Sequence, residues 1–279
     1  MGKIISWWQH IPEHINPNLF VIGQFQLRYY GLMYIAAFAA VYLFSVHRIE
    51  KENQGYTKET VQNYFLWAVP GLLIGARLGY VFLYDFGYFA ARPLEIILPL
   101  DLSRGIRYTG IYGMSYHGGF LGLLISTVLF CARNKLDFWG LADLFAVAAP
   151  LGFTFGRIGN FINGELYGRI TSVPWGMYFP LAGDGALRHP SQLYAAFLEG
   201  ILIFLILRAA EKRKLRRGFL LSLYIILYGA ARFAGEFARE PDPQLGFVWG
   251  IFTMGQVLSL VMAACGVFIM LRPRKKENT

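Results

Sequence analysis

Two arginines, two asparagines and a glutamate fall within RIGNFINGELYGR, residues 157–169, directly after the apolar run LFAVAAPLGFTFG. Arg157 and Asn160 are three residues apart and share a helix face, which Gly164 extends. Asn163 points elsewhere and suits a turn at Asn163-Gly164, where both residue types tolerate left-handed backbone. A second charged set lies in YGAARFAGE, where Tyr228, Arg232 and Glu236 recur every fourth residue and line one face. Arg77, in LLIGARLGY, is a third arginine inside an apolar segment. Each such charge costs about 2.5–3.5 kcal/mol at the centre of a membrane helix, so it needs a partner or a purpose. The planar fork of a guanidinium fits phosphate bidentately. Two of them at one depth, Arg157 and Arg232, suit a shared anion, and phospholipid headgroups are the abundant anions there. The competing reading of Arg232 is a local pair with Glu236 that only neutralises itself. Arg77 can snorkel or pair with Glu199.

His117, in YGMSYHGGFLG, lies at the outer end of the third expected span, where a histidine can transfer a proton near neutral pH. An interfacial hydrogen bond is the alternative. Glycines at 113, 118, 119 and 122 around it permit close backbone approach. His189, in RHPSQLY, reads as part of a helix start marked by Pro190 and Ser191. His10 and His14 are four apart, but Pro12 between them disfavours a helix, which argues against a metal site. The sequence contains no HExxH, P-loop or dinucleotide fingerprint.

The elements that must hold these residues are membrane helices. Of the 279 residues, 56% are hydrophobic and 15% charged, against about 25% charged in soluble domains. The apolar residues come in blocks long enough to cross about 30 Å of hydrocarbon. Seven spans are expected, near 29–46, 62–84, 117–132, 142–162, 191–209, 219–237 and 249–271, making one polytopic all-α domain over 1–279. Segment 85–116, with Pro93 and Pro99, is too polar to cross and is expected along the interface. With the N-terminus outside, fifteen Lys/Arg fall on the inner side and about eight on the outer, so the positive-inside rule favours N-out, C-in. The net charge of +9 is explained by these inner segments rather than by nucleic acid, KRKLRR and RPRKK facing anionic lipid. Segment 164–190, rich in Gly and Pro, is expected to form a small outer cap. Cys131 and Cys265 lie in apolar helices and read as inert packing residues. The start, MGKIISWWQHIPEHINPN, lacks the features of a cleaved signal peptide and is expected to be retained, with Trp7 and Trp8 at the interface.

Taken in order, YYGLMY (29–34), GMSYHGG (113–119), GRIGNFINGELYGR (156–169), RHPSQLY (188–194) and YGAARFAGEFAR (228–239) resemble the prolipoprotein diacylglyceryl transferase family of bacterial inner membranes, over nearly the whole chain. The resemblance implies transfer of a diacylglyceryl group from phosphatidylglycerol to the lipobox cysteine of a prolipoprotein. A thioether forms and glycerol 1-phosphate leaves, with no metal, nucleotide or other cofactor. It implies that Arg157 and Arg232 are essential, that His117 is the histidine of the HGG motif, and that Tyr30, Asn163 and Glu165 belong to the site. Asn160, Gly168, Tyr228 and Glu236 also fall on positions the family associates with it. Some members carry an acidic residue after HPSQLY; Ala195 stands there here. The chemistry agrees, because paired arginines stabilise a departing phosphate and thiolate is the nucleophile. His117 is the candidate base, with Tyr30 or Glu165 orienting lipid or relaying the proton. The rival class is a transporter or flippase for an anionic solute or lipid. The lack of an internal repeat and the outer position of the charges weigh against it.

Overall fold

A computed structural model of the chain describes residues 2–23, 25–52, 55–98, 100–101, 107–108, 113–213, 215–240, 247–248 and 251–272. Six helices are long and apolar enough to cross a membrane: Tyr29–Lys51, Lys58–Leu83, Tyr116–Asn134, Phe138–Ile162, Ser191–Glu211 and Met254–Leu271. The remaining expected span, near 219–237, is the helix Phe219–Gly235, whose 17 residues sit at the lower end of the spanning range of about 17–25. The chain is a multi-pass membrane protein. In chain order the helices are α1 (Gly2–Gln9), α2 (Ile11–His14), α3 (Tyr29–Glu52), α4 (Lys58–Leu83), α5 (Phe86–Ala91), α6 (Tyr116–Asn134), α7 (Phe138–Ile162), α8 (Ser191–Ala195), α9 (Ile203–Glu211), α10 (Phe219–Gly235) and α11 (Met254–Leu271). A π-helical turn, Ala196–Leu202, joins α8 to α9 within one continuous span. Four two-stranded antiparallel sheets add the only strands among the described residues: β1 (Asn18–Ile22) with β2 (Phe25–Arg28), β3 (Leu100–Asp101) with β4 (Arg107–Tyr108), β5 (Met177–Tyr178) with β6 (Leu187–Arg188), and β7 (Phe247–Val248) with β8 (Phe252–Thr253).

The chain divides into two compact units, Val46–Leu141 and the remainder. Within the first, α4 packs on α6 through small residues. A Cβ at Gly75 would lie 2.5 Å from the Gly118 carbonyl oxygen and 2.7 Å from the Gly122 Cα, so the glycines let two backbones touch. Ser126 donates to the Trp67 carbonyl (2.6 Å), and the Tyr64 and Thr127 hydroxyls share a hydrogen bond of 2.8 Å. Arg77 donates to the carbonyls of Ile96 (2.8 Å), Glu95 and Gly113 (3.3 Å) and lies over the Phe89 ring. It therefore anchors the segment after α4; Glu199, one of the two alternatives raised for it, lies 3.9 Å from Arg157. That segment is folded into α5, a 3₁₀ turn at Pro93–Ile96 and the β3–β4 pair.

In the second unit, α10 and α11 lie together. Gly229 packs on the Ser259 carbonyl, and Gly266 on Ile226 and the Ser222 carbonyl. The core cluster of Val147, Ile203, Leu207, Leu220 and Tyr228 joins α7, α9 and α10. Asp143 on α7 accepts from the backbone N–H groups of Gly218 (2.6 Å) and Leu221 (2.8 Å), which caps α10 at its otherwise unsatisfied N-terminus. Thr253 and Gln256 form a capping box that starts α11. The α2 turn corrects one expectation: Pro12 does not exclude a helix at 10–14. It occupies the first turn, where its missing N–H has no intrahelical partner to lose. Trp7 is exposed, whereas the Trp8 indole donates to the Trp175 carbonyl (3.0 Å). Both cysteines are free, Cys131 buried and Cys265 exposed. Lys214 and the basic residues after Arg272 lie outside the described residues.

Candidate active site

Helix α7 ends where the sequence places the turn. The Asn163 N–H still donates to the Gly159 carbonyl (2.9 Å) and the Gly164 N–H to that of Phe161, and Gly164 then adopts φ +69°. Leu166 follows at φ +57°, a conformation that costs an L-residue about 1–2 kcal/mol. Two groups at the start of α8 hold it there. The Ser191 hydroxyl donates to the Leu166 carbonyl (2.8 Å), and Gln192 Nε2 donates to the Glu165 carbonyl (2.7 Å). The HPSQ stretch thus clamps the end of the NGEL turn, a larger role than the helix start expected of it.

Within the helix end, Arg157 and Asn160 share a face as the spacing requires. Arg157 Nη1 lies 3.5 Å from Asn160 Oδ1, and Asn160 Nδ2 donates to Glu165 Oε1 (2.8 Å). Asn160 is buried, so this relay is shielded from competing water. The Arg157 guanidinium lies 4.6 Å from the Phe153 ring centroid, and Tyr228 meets that ring edge-on. Tyr228 therefore supports Arg157 through Phe153. Tyr30 bonds the Tyr34 hydroxyl (3.1 Å), and its ring lies against Gly159, where a Cβ would come within 3.1 Å.

On α10, Arg232 pairs with Glu236, so the local pair exists. It is not self-contained. Buried Glu236 also accepts from the Thr253 hydroxyl (2.7 Å) and lies 3.9 Å from Arg239 Nε. Arg232 lines a cavity together with Arg157, Arg239, Glu199, Ser191 and Gln192. Helices α7, α8 and α10 and the π turn thus bring both predicted arginines to one space. Gly168 ties the loop to the segment after α10 and to the start of α8. Its N–H donates to the His189 carbonyl (2.8 Å), it bridges to Arg239, and a Cβ there would lie 2.7 Å from the His189 carbonyl oxygen. Burial holds the His189 imidazole below its ordinary pKa, and the ring contacts the Tyr194 hydroxyl (3.2 Å).

Arg239, Glu199 and Gln192 are cavity residues that the sequence reading did not assign to the site. Arg239 continues the Arg232–Glu236 face by three residues, and Glu199 is an acid inside an apolar span; both signals were present. His117 belongs to the other unit. It is exposed in the first turn of α6, beside Tyr116, and Ser115 caps that helix by accepting from the Gly118 N–H (3.2 Å).

The family model for prolipoprotein diacylglyceryl transferase matches residues 17–272. The chain belongs to this family. Among relatives, the chain is 49% identical to the phosphatidylglycerol–prolipoprotein diacylglyceryl transferase of Chlorobaculum tepidum, over 100% of the chain and 96% of that protein. It is 44% identical to that of Wolinella succinogenes (97% and 98% covered) and 43% to that of Campylobacter lari (98% and 100% covered). The matched region contains all six helices long enough to span and the residues that line the arginine-rich cavity.

Proposed function

We propose that this chain transfers the diacylglyceryl group of phosphatidylglycerol to the lipobox cysteine of a prolipoprotein in the bacterial inner membrane. The N-terminus and the 164–190 cap face outside, and the C-terminus faces the cytoplasm. The observation that carries the reading is the meeting of Arg157 and Arg232 at one cavity, in a chain that matches this family over residues 17–272. The substrate thiolate attacks the glycerol carbon bonded to the phosphate oxygen. A carbon–sulfur bond forms, the carbon–oxygen bond breaks, and its electron pair passes to the departing glycerol 1-phosphate. That oxygen gains charge as the bond breaks, and preorganised guanidiniums stabilise it, each donor contributing about 2.7–4 kcal/mol in comparable anion sites. Asn160 and Glu165 fix the aim of Arg157, and Glu236 that of Arg232. Gly168 and the Asn163 turn hold the loop close. His117 is the proposed acceptor of the thiol proton, with Tyr30 as a lipid-orienting group.

The test mixes purified protein, phosphatidylglycerol and a lipobox peptide. A peptide mass gain equal to one diacylglyceryl group, with stoichiometric glycerol phosphate, is the expected result. Movement of lipid between leaflets without a thioether would replace this reading by a transporter.

A further inference from the structure

Glu199 is the least expected member of the cavity. It is 1% exposed, it sits on the π turn, and it faces a space meant for an anion. Its Oε2 has no hydrogen-bond partner among the described residues, and the nearest guanidinium nitrogen, Arg157 Nη2, is 3.9 Å away. A charge pair at that separation is coupled but not hydrogen-bonded. The placement is built. Thr154 on α7 donates to the Pro150 carbonyl (2.9 Å) and reaches the Ala196 carbonyl (3.5 Å), and Gly200 packs directly on it. Single π turns recur at functional sites because they redirect side chains within a helix. An anion site without Glu199 would bind phosphate more tightly, so a buried carboxylate there needs a reason.

The reason is in the charge count. Arg157, Arg232 and Arg239 line the cavity, and Glu199 and Glu236 compensate them, which leaves one formal positive charge. A phosphodiester carries one negative charge. A phosphomonoester carries close to two once the pH is above its second pKa of about 6. We propose that Glu199 sets this cavity to hold a singly charged phosphodiester in preference to a doubly charged phosphomonoester, and so helps expel the product. The proposal rests on the phosphate reading of the cavity given above. Cleavage of the carbon–oxygen bond by a thiolate turns the diester monoanion into a monoester dianion. The cavity is neutral overall before that step and carries an excess negative charge after it, with the Glu199 carboxylate opposing the new charge. Glu199 is thus a specificity and positioning residue, not one that exchanges a proton or bond with the substrate.

The experiment compares two water-soluble probes at about pH 8, where the monoester is fully ionised. These are glycerophosphoglycerol, a diester, and glycerol 1-phosphate, each titrated calorimetrically into the purified full chain. The wild type is expected to bind the monoester no more tightly than the diester, although it carries twice the charge. Glu199→Gln keeps the shape and removes the charge, and should shift the preference toward the monoester by about tenfold. Glu199→Asp keeps the charge and should restore the wild-type ratio. In turnover, Glu199→Gln should lower kcat and KM for phosphatidylglycerol together, with stronger inhibition by glycerol 1-phosphate. A wild type that favours the monoester tenfold overturns the proposal even if the glutamine variant does not fold. So does a glutamine variant that weakens both probes equally. A wild type that shows the binding preference but no thioether formation refutes the transferase reading and leaves the charge selection standing.

Discussion

At the scale of single residues, the proposed chemistry asks for forked donors rather than point charges. Arg157→Lys should therefore lose about 10²-fold in turnover at matched protein level, because an ammonium keeps the charge but not the bidentate geometry. Near-normal turnover of this variant would separate Arg157 from the phosphate. If Arg157 and Arg232 hold the same phosphate, their losses cannot add. A double-mutant cycle on Arg157→Gln and Arg232→Gln, at saturating phosphatidylglycerol, should show coupling well above about 0.5 kcal/mol. Additivity within that margin would assign them separate roles. For His117, replacement by Gln keeps a polar side chain of similar size but removes the base. Turnover should fall about 10²–10⁴-fold and lose the limb of its pH profile that reports thiol activation. The sequence made these residues visible because a charge inside an apolar run is conspicuous. Arg239 and Glu199 carry signals of the same kind, but their assignment to the site has a tertiary reason. Their importance depends on α8, the π turn and α10 meeting at one cavity, and no local spacing reports that meeting.

At the scale of elements, the helix positions were legible and their internal irregularities were not. A hydropathy block marks 191–209 as a span, but the π turn at Ala196–Leu202 that carries Glu199 leaves no trace in composition. Likewise the Asn163-Gly164 turn was readable from residue types, whereas Leu166 at φ +57° is held by distant Ser191 and Gln192. Segment 164–190, the proposed cap, shows the same dependence on distant partners. Buried Arg188 donates to Asp184 (2.5 Å), Glu240 (3.1 Å) and the Gly168 carbonyl (3.0 Å). The Arg188 hydrogen bond holds the Asp184 carboxyl below its ordinary range, and burial holds His189 below its own. Both folded pKa values are depressed, so the unfolded segment binds more protons and acidification destabilises the cap. The His189 contribution is present above its ordinary 6.5 and lost as pH falls below it; that of Asp184 is lost only as pH falls below 3.8. Amide exchange of residues 176–189 in detergent should accelerate between neutral pH and about 5, after correction for intrinsic rates, and His189→Asn should flatten that response.

At the scale of the whole molecule, the asymmetry of basic residues and the ends of the spans make one connected claim. Arg208, Lys212, Arg213, Arg216 and Arg217 crowd the short connection from α9 to α10, and Asp143 at the start of α7 caps the same end of α10. The opposite ends of α7 and α10 carry Arg157 and Arg232. Whichever side receives the basic connection, the arginine-lined cavity must therefore lie toward the other. In the proposed orientation, which the positive-inside rule favours, the basic connection is cytoplasmic and the cavity lies toward the outer leaflet, where an exported prolipoprotein would present its cysteine. A cysteine-free background, lacking Cys131 and Cys265, allows each side to be probed with a membrane-impermeant maleimide. Lys212→Cys should be labelled only after the cells are opened, and a cysteine at exposed Gly183 in the cap should be labelled in intact cells. Neither position lines the cavity, so turnover should survive in each variant. Labelling of Lys212→Cys in intact cells would invert the topology and place the arginines at the cytoplasmic face, where the exported thiol could not reach them.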